Sequence, residues 1–89
     1  MTYSVDWYEA ALNTAAGYVI DDPKGLDELF DALDRLADEP RPCQSKPLAP
    51  PERLTLPDLR RLRVGRYRVL YEIVDSVDSI IVIHLGRVG

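Results

Sequence analysis

The stretch "LRRLRVGRYRVLYEI", residues 59 to 73, places five arginines in the nine positions from Arg60 to Arg68. Guanidinium groups suit phosphate: they stay charged at all working pH values, and their planar fork bonds two oxygens at once. Side chains alternate across an extended strand, so Arg61 and Arg63 share one face, and Arg68 joins them if a turn brings the next strand alongside. Lys46 and Arg66 are further phosphate-binding candidates nearby. Arg60 and Arg66 also read as solvated edge charges that discourage aggregation. His84 is the one side chain here that ordinarily titrates near neutral pH. Lying in the apolar run "SIIVIHL", it has two readings, a packed structural histidine or a proton carrier. The lone Cys43 has no partner for an internal disulfide, and no Cys/His spacing fits zinc. No metal and no cofactor are expected.

The elements that must position these groups are legible from pattern. The 89 residues suffice for one domain with a modest core, spanning residues 1–89. "TYSVDWY" alternates and favours a short strand over about residues 2 to 6. "YEAALNTAAGYVI" reads as a helix weakened by Asn13, Thr14 and Gly17. Asp22 followed by Pro23 is a helix start, because the aspartate accepts free amide hydrogens and proline fits the first helical turn. Leu26, Leu29, Phe30, Leu33, Leu36 and Ala37 then form one apolar stripe, with Asp27, Glu28, Asp31, Asp34 and Asp38 on the outer side. Those carboxylates read as a solvated surface.

Six prolines between Glu39 and Leu59 exclude helix and interior strand and give a long loop, with Lys46, Glu52 and Arg53 as its notable polar members. From Leu59 the period becomes two, with Leu62 and Val64 opposite Arg61 and Arg63. Gly65 permits a tight turn into "YRVLYEI", and "DSVD" at residues 75 to 78 turns into "SIIVIHL", expected to be a central strand buried on both faces. Tyr67 and Tyr71 have the parity opposite to Arg68 and are expected to pack in the core, as is Trp7. The order β-α-α-β-β-β predicts an α+β fold: an antiparallel-rich sheet with two helices on one face and the other face available.

Charge is divided sharply along the chain. Residues 1 to 39 carry ten acids against Lys24 and Arg35, a net of −8, whereas residues 40 to 89 carry nine bases against five acids, a net of +4. A polyanion responds to a local patch within about 10 Å at moderate salt, so an acidic whole-chain balance leaves nucleic acid among the partners. No apolar run approaches a membrane span, and "MTYSVDW" lacks the basic-then-apolar order of a signal peptide. A cytoplasmic protein without a membrane partner is expected.

The hairpin "LRRLRVGRYRVLYEI", the upstream "SKPL" at residues 45 to 48 and the closing "IIVIHLGR" resemble the RelE/ParE toxin superfamily over essentially the whole chain. That resemblance implies a type II toxin–antitoxin system with a cognate antitoxin that wraps the toxin and covers the basic face. In the RelE branch it implies a metal-independent messenger RNA endonuclease acting on the ribosome and so inhibiting translation. There the ribose 2′-hydroxyl attacks the adjacent phosphate, and the protein orients the attack, moves protons and stabilises the added charge. Arg68 matches the arginine of the Tyr-Arg strand, Arg61 a basic residue of the preceding strand, and Arg87 a terminal basic residue. The aromatic that RelE-type nucleases place after the last strand has no counterpart in "HLGRVG", and His84 is the substitute proton carrier. The same superfamily contains DNA gyrase poisons and inactive relatives that bind the antitoxin, so a ParE-like poison and a non-catalytic remnant are the alternatives.

Overall fold

A computed structural model describes residues 2–48 and 58–88. The elements run β1 (Ser4–Trp7), α1 (Glu9–Asp21), α2 (Pro23–Asp38), β2 (Lys46–Pro47), β3 (Asp58–Val64), β4 (Tyr67–Val74), a 3-10 turn (Asp75–Val77) and β5 (Ser79–Arg87). The strands form one mixed sheet in the order β1-β5-β4-β3-β2, with β1 parallel to β5 and the other pairs antiparallel. The α+β class and the expected order hold, with one addition. The proline-rich segment supplies β2, a two-residue edge strand, and Pro47 is tolerated there because its missing N–H faces no further strand. Glu52 and Arg53 lie outside the described residues.

The boundary between the helices follows the local chemistry of Asp22. Its Oδ1 accepts the Gly25 amide at 3.1 Å, and Pro23 occupies the first turn of α2. Oδ2 accepts the Tyr67 hydroxyl at 2.8 Å, fixing the start of α2 to β4. Leu26, Leu29, Leu33 and Leu36 of α2 are buried against Leu62, Val69, Tyr71, Ile73, Ile80 and Val82 of the sheet. The first helix contributes Ala11 and Ala15, small residues that let its backbone lie close to β5. Trp7 is half-buried and meets Phe30 edge-on at 5.9 Å. Tyr71 is fully buried, its hydroxyl donating to the Pro40 carbonyl at 2.8 Å. Both helices therefore cover one face of the sheet and leave the other open.

Gly65 turns the hairpin with φ +57, a left-handed conformation that costs glycine little. In β4, Tyr67, Val69, Tyr71 and Ile73 point to the helices, while Arg68, Leu70 and Glu72 point to the open face. The last strand departs from expectation. Ile80, Val82 and Leu85 are buried on the helical side, whereas Ile81 and Ile83 are only half-buried and His84 is exposed. The strand is thus buried on one face alone, because no layer covers the other.

Candidate functional site

The β3–β4 register puts Arg63 directly opposite Arg68 and Arg61 opposite Leu70, while β2 adds Lys46 opposite Arg61. Four cations from three strands thereby surround one polar depression of about 280 Å³, lined by Gln44, Lys46, Arg61, Arg63 and Arg68. All five residues are exposed. Like charges directly opposite on adjacent strands repel, and among the described residues no carboxylate forms an ion pair with Lys46, Arg61 or Arg68. An anion seated in the depression relieves that repulsion. Elsewhere arginines are neutralised: Arg41 bridges Asp58 at 2.6 Å and Asp75 at 2.8 Å.

His84 reaches this face through an irregularity in β5. Leu70 pairs with His84 but Tyr71 pairs with Val82, so Ile83 is an extra residue in the ladder. Such a bulge reverses the parity of every residue after it. Without it, His84 would share the inward direction of Ile80 and Val82, and Leu85 would face solvent. With it, His84 stands beside Arg61, Arg68, Leu70 and Gly86 in a second depression of about 410 Å³, which Leu48, Val69, Arg87 and Val88 also line. The two depressions share Arg61 and Arg68. The arrangement combines guanidinium forks for an oxyanion with an imidazole able to accept or donate a proton, on one open surface. Among the described residues, no group of His, Cys, Asp and Glu has an arrangement able to hold a metal ion.

Of the sequence candidates, Arg61, Arg63, Arg68, Lys46 and His84 are brought together; Arg87 also lines the second depression but turns its guanidinium to Asp21, and Arg66 lies apart in the hairpin turn. Arg66 sits in the hairpin turn, beside Asp22, Lys24 and Glu28 at the start of α2. Arg87 has the inward parity of Leu85. Its guanidinium is paired with Asp21, lies 4.6 Å from the centre of the Tyr18 ring and is further held by the Tyr67 hydroxyl. The ion pair to Asp21 raises its pKa further above the usual range. Arg87 thus ties the end of β5 to the α1–α2 elbow. Asp22, at the same elbow, has its pKa lowered chiefly by the Tyr67 hydroxyl and next by the Gly25 amide. Burial is the main cause of the raised Tyr67 pKa, reinforced by Asp22.

Sequence reasoning missed Gln44, Leu48 and Leu70 as site residues, since nothing in their types marks them before the register is known. It also left Arg60 as an edge charge, although its guanidinium bonds Ser45.

Comparison with known proteins gives a consistent result. Residues 5–88 match the family model described as the ParE toxin of the type II toxin–antitoxin system parDE. A search of curated proteins returned no match. Among solved structures, the RelE–RelB complex from Pyrococcus horikoshii aligns at a TM-score of 0.80 with 26% identity, covering 100% of this chain and 98% of that one. The RelBE2 toxin–antitoxin complex of Mycobacterium tuberculosis aligns at 0.76 with 24% identity, covering 98% and 99%. The YoeB/ParE toxin of Agrobacterium tumefaciens aligns at 0.77 with 14% identity, covering 94% and 96%, and so shows the shared fold.

Proposed function

The chain belongs to the ParE toxin family of type II toxin–antitoxin systems, and from that premise we propose that it is a metal-independent messenger RNA endonuclease acting on the ribosome. The observation that carries this reading is the cluster of Lys46, Arg61, Arg63 and Arg68 around one depression, with His84 turned onto the same face by the bulge. Attack of a 2′-hydroxyl on the neighbouring phosphate concentrates negative charge on the non-bridging oxygens. Arg68 and Arg61, which belong to both depressions, bind those oxygens and stabilise the charge, the larger catalytic contribution in such reactions. Arg63 and Lys46 hold the flanking backbone. The P–O5′ bond breaks to leave a 2′,3′-cyclic phosphate and a 5′-hydroxyl, and His84 takes the proton of the 2′-hydroxyl or returns one to the departing 5′-oxygen, a role worth about 10²- to 10⁴-fold in rate. Arg87, its guanidinium paired with Asp21, braces the rim of the second depression from the helical side.

The partner is a cognate antitoxin, in keeping with the toxin–antitoxin complexes among the structural relatives. Besides the basic face, α1 offers it an apolar strip: Leu12, Val19 and Ile20 are exposed, Ile20 at 89%, and Tyr8 extends the strip before the helix. An amphipathic helix packs on such a strip through anchors at helical spacing. No helix among the described residues is long and apolar enough to cross a membrane.

A second reading, a DNA gyrase poison, is favoured by the family model itself, whose description names ParE. Induced expression of the wild-type protein with mapping of messenger RNA ends distinguishes the two. Cleavage within translated frames supports the nuclease; intact messages together with gyrase-dependent DNA breaks support the poison.

A further inference from the structure

Arg60 stands among the phosphate-binding arginines in sequence but faces the other way. It pairs with Tyr71 across the ladder and has the inward parity of Leu62. On that side its guanidinium reaches the residue just before β2. Nε donates to Ser45 Oγ at 2.8 Å and an Nη to the Ser45 carbonyl at 3.3 Å. Ser45 is buried, 5% exposed, and both its hydroxyl and its amide donate to the Pro42 carbonyl, at 2.9 and 3.0 Å. These contacts fold residues 42 to 45 into a turn locked onto β3.

The strand that follows cannot hold itself. Two residues long, β2 lies at the sheet edge and pairs with β3 alone. The next ladder-like bond is Leu48 N–H to the Leu59 carbonyl at 2.9 Å. A segment within a long connection between α2 and β3 loses much conformational freedom when pinned to an edge. Arg41, bonded to Asp58 and Asp75, pins the start of that connection, but it precedes the Ser45 turn and leaves Lys46 unconstrained.

We propose that the Arg60–Ser45 clamp is a positioning device that sets Lys46 opposite Arg61, completing the cationic depression on the far side of the sheet from the clamp itself. The inference rests on the reading of that depression as an RNA phosphate site. Arg60 does not touch the nucleic acid; it acts through Lys46. Lysine cannot replace it, because a single ammonium lacks the fork that spans Ser45 Oγ and the Ser45 carbonyl.

The test uses the intact chain and a labelled single-stranded RNA. One single-strand phosphate contact scales with salt to a power near −0.7, so losing the Lys46 contact weakens binding about fivefold at about 0.1 M salt. Lys46→Ala measures that loss directly. Arg60→Lys, which keeps the charge, and Ser45→Ala, which is neutral and buried, are each expected to show the same fivefold loss. Either combined with Lys46→Ala is expected to be no worse than Lys46→Ala alone. Full affinity in both clamp variants overturns the proposal, as does a combined loss near 25-fold, which independent contributions would give. Hydrogen exchange at the Leu48 amide provides a readout independent of RNA: the clamp requires lost protection in both variants, and retained protection refutes it. If the wild-type protein binds no RNA, the phosphate-site reading fails, and the exchange result still decides whether the clamp holds β2.

Discussion

Replacing Arg68 with alanine is the most informative perturbation of the basic face, because Arg68 belongs to both depressions and is exposed in β4. Its removal leaves the helical side of the sheet untouched, so the fold is expected to survive. Lys46, Arg61, Arg63 and Arg68 line the polar depression. If each neutralises one phosphate of a single strand, log affinity falls against log salt with a slope near −2.8, about 50-fold between about 50 and about 200 mM. In Arg68→Ala the slope is expected near −2.1, about 18-fold over the same interval. Fluorescence anisotropy with a short labelled RNA at several salt concentrations measures both slopes. Arg87→Ala provides the control, since its guanidinium is engaged by Asp21 and Tyr18 on the helical side. Its slope is expected to match the wild type. A wild-type slope near zero, or an equal reduction in Arg68→Ala and Arg87→Ala, refutes the assignment of the phosphate surface.

Further expectations follow from the same geometry. Leu29→Ala, at a fully buried position in α2, should lower stability by about 2 to 5 kcal/mol in chemical denaturation. His84→Gln should slow cleavage by about 10²-fold or more with an unchanged melting temperature if the exposed imidazole carries the proton; lost stability with intact cleavage would make it structural. Asp22 and Asp75 have lowered pKa values, chiefly through the Tyr67 hydroxyl and Arg41 respectively, so their stabilisation is present above the unfolded carboxylate pKa of about 3.9 and is lost as pH falls through the lower folded values. Melting temperature should therefore be flat above about pH 5 and decline below about pH 4, with a shallower decline in Asp22→Asn. Ile20→Asp should weaken antitoxin binding in a titration while leaving RNA affinity unchanged, because α1 lies on the opposite side of the sheet from Arg68.

Much of this architecture was legible in the residues, for physical reasons that differ by element. The Asp22–Pro23 start of α2 and its leucine stripe are local signals, and both appear as read. The hairpin is equally local, since Gly65 fixes the turn and strict alternation separates Leu62 from Arg61 and Arg63. The direction of His84 was not legible. In a continuous apolar run, alternation carries no information about which face is inward, and the bulge at Ile83 shows only in the pairing with β4. Arg60 and Arg87 pose a related difficulty. Their types match those of the phosphate-facing arginines; alternation gives Arg60 the parity of Leu62, but the partners themselves, Ser45 for one and Asp21 for the other, come from distant segments. The edge strand β2 is invisible in a proline-rich segment because it exists only through its pairing with β3.

The central claim is that the open basic face cuts messenger RNA, and the most direct measurement is high-coverage mapping of messenger RNA 5′ ends after induction of the wild-type protein and of Arg68→Ala. New ends within translated frames in the wild type, reduced by about 10²-fold or more in Arg68→Ala, are the expected result, on the scale of losing one preorganised contact to the transition state. Intact messages in cells whose growth is nevertheless arrested, or equal cleavage by both proteins, would contradict it.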